Sequence, residues 1–251
     1  MFNFALVLLL STLSIAQPIV DLGYAQYQGV FDSGANATHF FGIRYAAPPT
    51  GSLRWQSPQA PSFVTGIRLA DAHPQSCPQG SPGTSPTPAF LSSLPPEDCL
   101  FLECVSQSSI RACLIMYSSV YIPGILDNVS NLPVLVWIHG GAWIFGNAAM
   151  YTGDDIIRES NGNVILVVIQ YRLGLFGFLA GEKVKKGGVL NTGLCLWFSF
   201  LQLLLDMLSL VDQQFALKWV HDHVCCLLLL LSVGDSLVFV ARVDCQVWRR
   251  R

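Results

Sequence analysis

The sequence predicts an α/β protein in which a mostly parallel sheet is flanked by helices. Two continuous apolar runs, PVLVWIH at 133–139 and VILVVIQYRL at 164–173, have the composition of strands buried on both faces of a parallel sheet. Between them, GDDIIRES at 153–160 predicts a short helix with acids at its start, where the helix dipole favours them. A strand, a crossover helix and a second strand form the repeating unit of such a sheet.

Composition limits the kinds of partner that the chain can have. The 251 residues carry a net charge of −2, so no basic surface is available and nucleic acid is not an expected partner. Apolar residues make up 52% of the chain and charged residues only 12%, which is more apolar than an ordinary soluble domain.

The N-terminus indicates secretion. MFNFALVLLLSTLSIA at 1–16 has a short apolar core followed by small residues, the pattern of a cleaved signal peptide, although it lacks Lys or Arg. A buried helix or an anchor is the alternative, but the run is short for a bilayer. Asn-x-Ser/Thr sequons at Asn36 and Asn128 agree with a secreted, extracellular glycoprotein.

The remaining segments divide into regular and irregular parts. Residues 17–70 contain short β-like pieces separated by Gly and Pro, and 73–96 predicts a surface loop flanked by Cys77 and Cys99. DQQFALKWVHDHV at 212–224 predicts a helix with Asp212 as its N-cap. Its apolar face carries Phe215, Ala216, Trp219, Val220 and His223.

Three stretches do not fit this organisation. They are CVSQSSIRACLIMYSS at 104–119, CLWFSFLQLLLDMLSLV at 195–211, and the chain from Val224 onward, where no turn pattern is recognised. One interpretation makes 195–211 and 224–240 membrane segments. The first is short for a bilayer and carries Asp206, and the second contains Asp235; an aspartate is costly within a bilayer.

Seven blocks of the sequence identify a family. They are FFGIRYAAPPTGSLRWQSPQAP, CPQ, EDCLFL, VYIPG, LPVLVWIHGGAWIFG, VILVVIQYRLGLFGFL and DQQFALKWVHDHV. In this order they resemble the type-B carboxylesterases, which include cholinesterases and some fungal lipases. The resemblance covers most of residues 24–223 and implies an α/β-hydrolase fold, with a first disulfide between Cys77 and Cys99.

The resemblance also implies an oxyanion hole after the strand at 133–138. The backbone amides of Gly141 and Ala142 are the expected donors, and Gly140 shapes the turn. Ala142 stands where the family has a third glycine, and we expect it to be tolerated because the amide is the donor. His139 is expected to be a loop residue rather than the base. The resemblance implies no cofactor, and it makes Gln170, Tyr171, Arg172, Leu173 and Gly174 structural residues.

The nucleophile, the acid and the base of the family are missing from this chain. The sequence contains no Gly-x-Ser-x-Gly elbow, so the resemblance ends before the nucleophile. GDSL at 234–237 matches the nucleophile block of a different lipase family, with Ser236 as the attacking group. That family needs an Asp-x-x-His pair near its C-terminus, and no His follows Ser236, so we interpret the match as chance.

A retained-intron hypothesis explains the three irregular stretches. Removing 104–119 joins EDCLFLE to VYIPG, and removing about 195–210 joins LNTGL to VDQQFALKW, which restores the family pattern both times. The predicted organisation is therefore a signal peptide at 1–16, the N-terminal part of a type-B domain at 17–223, and a tail at 224–251 that arises from a frameshift or intron.

The predicted function is secreted carboxylic-ester hydrolysis, acting on a small-molecule or lipid ester in the full-length form. The chain as written is expected to be inactive. One alternative is a non-catalytic adhesion or binding protein on the same fold, and another is a membrane-associated chain through 195–211. His221 and His223 are not expected to bind a metal, because residues two apart do not share a helix face.

Overall fold

The structure is a computed structural model that describes residues 18–80, 96–106, 133–187, 190, 192, 212–224, 227–233 and 236–242. Within those residues the chain forms ten strands and four α-helices. The strands are β1 (Ile19–Asp21), β2 (Gln26–Gln28), β3 (Val30–Asp32), β4 (Ala37–Arg44), β5 (Ile67–Leu69), β6 (Phe101–Ser106), β7 (Pro133–Ile138), β8 (Ile165–Ile169), β9 (Leu227–Val233) and β10 (Ser236–Arg242). The helices are α1 (Asp154–Glu159), α2 (Gly174–Phe178), α3 (Glu182–Gly187) and α4 (Asp212–Val224).

A mixed seven-stranded sheet forms the centre of the described fold. Its strand order is β3-β4-β6-β8-β7-β10-β9, and a separate small sheet has the order β1-β2-β5. The predicted parallel pair is present: β7 lies parallel to β8, with Val134 opposite Ile165 and Ile138 opposite Ile169. The other pairings in the large sheet are antiparallel, so over the described strands the sheet is not mostly parallel as predicted. Antiparallel neighbours need only short connections, such as the turn between β3 and β4, whereas β7 and β8 are joined by a crossover containing α1.

Strand β8 is buried on both faces, as its continuous apolar composition predicts. All five of its residues are buried. Ile165, Val167 and Ile169 belong to the core cluster that α4 also joins, while Leu166 and Val168 belong to a second cluster that includes Ile157 of α1. Alternate side chains of a strand point to opposite faces, so β8 contributes to both layers of the core.

Helices α1 and α4 lie where the sequence predicts them. Helix α1 begins with Asp154 and Asp155 and buries Ile157. Helix α4 buries Ala216, Trp219 and Val220 on its predicted apolar face. The prediction for Asp212 was incomplete. The helix begins there, but both carboxylate oxygens accept hydrogen bonds from Arg172, which lies just after β8.

The C-terminal strands correct one expectation. Strands β9 and β10 pair antiparallel over their full length, and β10 also pairs antiparallel with β7. The two strands flank Gly234-Asp235, and a Gly-Asp pair between two apolar runs is a hairpin signal in the sequence, which contradicts the expectation that no turn pattern is present after Val224. The alternative of a membrane segment at 224–240 therefore disagrees with the strands found there.

The other irregular stretches lie partly or wholly outside the described residues. Strand β6 continues through Ser106, the third residue of the stretch 104–119, and pairs there with both β4 and β8. Residues 195–211 are not among those described. No helix in the described part of the chain is long and apolar enough to cross a membrane.

Candidate active site

The turn that follows β7 depends on glycine. Gly141 has a φ of +120°, and a Cβ at this position would overlap the carbonyl oxygen of Phe145. Gly146 has a φ of +115°, and a Cβ there would lie 2.5 Å from Nδ1 of His139. Ala142 has a φ of 51°, a left-handed conformation that an L-residue adopts at moderate cost. The turn therefore accepts a methyl group at Ala142 but not at Gly141.

Three successive carbonyl oxygens at the start of this turn are engaged by the protein. The His139 carbonyl accepts from the Tyr171 hydroxyl at 2.7 Å. The Gly140 carbonyl accepts from Nδ1 of His139 at 2.9 Å. The Gly141 carbonyl accepts from the amides of Ile144 and Phe145, at 3.0 and 3.1 Å. In a trans peptide the N–H points away from the carbonyl of the same peptide group. Each of these carbonyls shares its peptide group with the N–H of the next residue along the chain.

Those three amides belong to Gly140, Gly141 and Ala142, the residues predicted for the oxyanion hole. Within the described residues no group accepts a hydrogen bond from any of them. Ala142 is exposed and the two glycines are partly exposed. An unpaired buried N–H is costly, whereas a partly exposed N–H can be satisfied by water or by a ligand. The turn therefore presents three consecutive donors that a negatively charged oxygen can use.

His139 has a structural role in this turn. Its ring is buried, stacks on Tyr171 with 4.6 Å between ring centroids, and places Nδ1 2.9 Å from the carbonyl oxygen of Gly140. Because a carbonyl is only an acceptor, Nδ1 carries the hydrogen. Burial lowers the pKa of His139, although the hydrogen bond to Gly140 opposes that shift. The ring is therefore neutral at pH 7 and is committed to holding the turn.

The segment Cys77–Gly80 contacts the far end of the turn. The Gln79 side chain accepts from the Gly146 amide at 2.6 Å and donates to the Gly146 carbonyl at 3.0 Å. Cys77 and Cys99 are joined by a disulfide with Cα atoms 4.9 Å apart, the pairing that the resemblance implies. Gln79 belongs to CPQ, one of the seven family blocks, but the sequence alone predicts no role for it. A single sequence offers no signal for it, because its partner lies 67 residues away.

Ser236 lies at the same end of the sheet as this turn. It is the first residue of β10, and Leu237 beside it is opposite Ile138, the last residue of β7. The sequence still contains no His after Ser236, so the second half of the GDSL lipase pattern is absent from this chain.

Other predicted site residues lie away from the turn. Asn36 is exposed, with a φ of 49°, immediately before β4, whereas Asn128 lies outside the described residues. His223 stacks on Trp219 with 4.4 Å between ring centroids, and His221 contacts Asp222 on the surface. Among the described residues no group of three or more His, Cys, Asp or Glu is arranged to hold a metal ion.

Comparison with known proteins identifies the family. A family model described as "Carboxylesterase family" matches residues 16–195, which is well over half of the chain. The chain belongs to the carboxylesterase family. This family is one of ester-hydrolysing enzymes, so the type-B resemblance that the seven sequence blocks carry is confirmed.

Relatives in the carboxylesterase family match most of this chain. It is 34% identical to the acylcarnitine hydrolase of Mus musculus and 35% identical to the cocaine esterase of Homo sapiens, in each case over 83% of this chain and 33% of the relative. It is 32% identical to secreted lipase 1 of Botryotinia fuckeliana, over 85% of this chain and 33% of the relative. The chain therefore spans about a third of the length of the curated relatives it matches.

Solved carboxylesterase structures agree with the fold. The crystal structure of Aspergillus niger EstA matches 82% of this chain and 32% of its own, with a TM-score of 0.58 and 34% identity. A thermophilic PNB esterase matches 83% of this chain and 36% of its own, with a TM-score of 0.57 and 29% identity. These neighbours confirm the predicted α/β-hydrolase fold.

Proposed function

We propose that this chain is the N-terminal part of a secreted carboxylic-ester hydrolase. In the full-length form a serine attacks the ester carbonyl, an acyl-enzyme forms, and water releases the acid. The observation that carries this proposal is the set of three consecutive amides, Gly140 to Ala142, that have no acceptor among the described residues.

The turn supplies electrostatic stabilisation in the proposed reaction. When the nucleophile adds to the carbonyl, its oxygen becomes negative and needs donors that are already in position. The amides of Gly141 and Ala142 donate to this oxygen, and Gly140 gives the turn its shape. Losing one such donor typically costs ~3 kcal/mol of transition-state stabilisation. Since backbone amides do this work, no cofactor is required.

The proposed substrates are small-molecule or lipid esters of carboxylic acids. The names of the relatives, an acylcarnitine hydrolase, a cocaine esterase and a secreted lipase, support this range. Two exposed aromatic side chains lie in the same turn as the free amides: Trp143, which is 56% exposed, and Phe145, which is 45% exposed. They offer apolar contact to the part of an ester that remains outside the reacting centre.

Secretion belongs to the same proposal. The apolar run at 1–16, the sequons at Asn36 and Asn128, and a disulfide between Cys77 and Cys99 all suit an oxidising, extracellular setting. The secreted lipase among the relatives supports it as well.

The chain as written is proposed to be inactive, because the sequence has no Gly-x-Ser-x-Gly elbow. We propose that residues 104–119 and about 195–210 are translated introns, and that the frame shifts after 223. The domain at 17–223 would then continue into a nucleophile strand in the correctly spliced message.

The first test is the sequence of the transcript across the codons for 100–125 and from 190 onward. The given chain and any restored form are then expressed and assayed with 4-nitrophenyl butyrate. We expect background turnover from the given chain, and turnover from a restored form that is lost when its elbow serine is changed to alanine.

Three results separate the alternatives. An elbow serine that is replaced in every message supports a non-catalytic binding protein on the same fold. Messages that always retain both stretches contradict the splicing hypothesis. Turnover by the given chain that Ser236→Ala abolishes overturns the proposal of inactivity.

A further inference from the structure

The turn at residues 139–146, which carries the proposed oxyanion hole, is called the oxyanion turn. One side chain holds its far end at two points. The amide group of Gln79 accepts from the Gly146 N–H at 2.6 Å through Oε1 and donates to the Gly146 carbonyl at 3.0 Å through Nε2. The same Nε2 donates to the carbonyl of Cys77 at 2.7 Å. All three bonds are within normal hydrogen-bond distance, so both ends of the Gln79 amide are used.

The backbone next to Gln79 strengthens this contact. The Gly80 amide donates to the Ile144 carbonyl at 2.5 Å. A Cβ at Gly80 would lie only 3.3 Å from the Cβ of Ile144, so the two segments approach closely. One backbone hydrogen bond and the Gln79 side chain therefore link residues 79–80 to residues 144–146.

The near end of the turn is held by other elements. The Tyr171 hydroxyl donates to the His139 carbonyl, and the Gly174 amide donates to the Trp143 carbonyl at 2.8 Å. The three free amides lie between His139 and Trp143, and the turn continues from Trp143 to Gly146, where Ile144 and Phe145 donate back to the Gly141 carbonyl. Because the Ile144 and Phe145 amides donate to the Gly141 carbonyl, the position of residues 144–146 is coupled to the peptide that carries the Ala142 amide.

We propose that Gln79 is a positioning residue that fixes the oxyanion turn through Gly146 and so aims the amides of Gly141 and Ala142. This inference rests on the proposed role of those amides. Gln79 does not touch the reacting atoms, and it acts only through the backbone of the turn. The Cys77–Cys99 disulfide holds the base of the segment that carries it.

Two substitutions distinguish this role from simple packing. Gln79→Glu keeps an oxygen for the Gly146 N–H but puts a second oxygen against the carbonyls of Gly146 and Cys77, which repels them. Gln79→Leu removes all three hydrogen bonds and keeps an apolar stem. Gln59→Leu is the matched control, because Gln59 is exposed and its side chain bonds only to the nearby Ser57 carbonyl.

The experiment uses the full chain, amide hydrogen exchange and a benzoate titration followed by NMR. We expect the Gly146 amide to exchange on the order of tenfold faster in Gln79→Leu than in the wild type, and Gln79→Glu to fall between them. Unchanged exchange in strand β8 shows that each variant is folded. Benzoate is expected to shift the Gly141 and Ala142 amides of the wild type, with a half-saturating concentration at least about fivefold higher in both Gln79 variants.

The two readouts can fail separately. If benzoate shifts these amides equally in the wild type and in both Gln79 variants, Gln79 does not position the turn. If Gly146 exchange is the same in all variants, the hydrogen bonds from Gln79 do not hold Gly146 in place. If Gln79 protects Gly146 but benzoate shifts no amide even in the wild type, the contact between Gln79 and Gly146 is confirmed and the proposed oxyanion role of the amides fails.

Discussion

At the scale of single residues, the turn after β7 makes strict demands at Gly141 and mild demands at Ala142. Both have positive φ, but only at Gly141 would a side chain meet backbone atoms. This difference explains why the sequence carries Ala at one position and Gly at the other. The expectation that alanine is tolerated at position 142 remains a prediction for function, although the backbone geometry accommodates it.

Gly141→Ala is expected to destabilise the protein by about 2 kcal/mol or more, because the new Cβ overlaps the Phe145 carbonyl. Gly181→Ala is the matched control. Gly181 has a similar φ of +135°, but a Cβ there meets nothing within 4 Å. Urea unfolding of both variants measures the difference, and an equal loss in the two would show that φ alone, without the overlap, determines the cost.

Among the described residues, Glu103 is the most deeply buried carboxylate that faces a histidine. It is 1% exposed on β6, and its Oε1 lies 2.8 Å from Nδ1 of His73. Burial raises the pKa of Glu103 above its usual 4.5, and the hydrogen bond to His73 only partly opposes that shift. The carboxyl group of Glu103 therefore holds its proton more tightly in the folded protein than in the unfolded chain. The contribution to stability is present below pH 4.5 and is lost as the pH rises through the folded pKa.

The change in unfolding free energy that Glu103→Gln causes, relative to the wild type, is therefore expected to be more favourable at pH 8 than at pH 4. The difference between the two pH values should be on the order of 1 kcal/mol. The glutamine keeps an oxygen for His73 and never ionises. Thermal or urea unfolding of variant and wild type at both pH values gives the result, with the exposed Glu159→Gln as control. An equal change at both pH values would mean that folding leaves the pKa of Glu103 unshifted, and a larger loss at pH 8 than at pH 4 would mean that the fold prefers the ionised carboxylate.

At the scale of elements, one buried ion pair attaches α4 to the end of β8. Both oxygens of Asp212 accept from the Arg172 guanidinium, at 2.8 and 2.7 Å, and Oδ2 also accepts from the Arg172 amide at 3.0 Å. The side chains are 2% and 0% exposed. Removing one partner of such a pair leaves a buried charge without compensation.

Asp212→Asn is expected to cost about 3–5 kcal/mol of folding stability, because Arg172 would remain buried and charged. Asp155→Asn, which weakens the exposed pair with Arg158 and removes a charge from the first turn of α1, is expected to cost less than about 1 kcal/mol. Equilibrium unfolding compares the two variants. A small loss in Asp212→Asn would show that water or another acceptor reaches Arg172 once the carboxylate is gone.

Elements with a clear local pattern could be predicted, and contacts between distant residues could not. The parallel pair β7–β8 and helices α1 and α4 follow from apolar runs and helical spacing that are visible within short windows. The antiparallel pairing of β6 with β4 and β8 leaves no comparable mark in the sequence. The turn residues Gly140 to Ala142 were identified by family resemblance, whereas the Gln79 and Arg172 contacts depend on residues 67 and 40 positions away.

At the scale of the whole molecule, the Cys77–Cys99 disulfide links the segment that contacts the turn after β7 to the start of β6. The two residues are 22 positions apart, and closing a loop of this length removes entropy from the unfolded chain. Both cysteines are buried in the main core cluster. The bridge therefore acts on global stability and also supports Gln79.

The double variant Cys77→Ser and Cys99→Ser is expected to lose about 3–4 kcal/mol of stability. Since the loss arises mainly in the unfolded chain, refolding should slow more than unfolding accelerates. Stopped-flow measurements with urea separate the two rates. An unchanged folding rate, with all of the loss in unfolding, would mean that the bridge acts through contacts in the folded protein.

Strand β7 has two hydrogen-bonding edges, and both are taken: β8 occupies one and β10 the other. A polypeptide that offered a further strand to this position would have to compete with the hairpin for the same row of backbone groups. The two arrangements are mutually exclusive. A longer form of the protein that extends the sheet next to β7 must therefore either lack residues 236–242 or pull them away, and the hairpin acts as an internal cap on sheet growth.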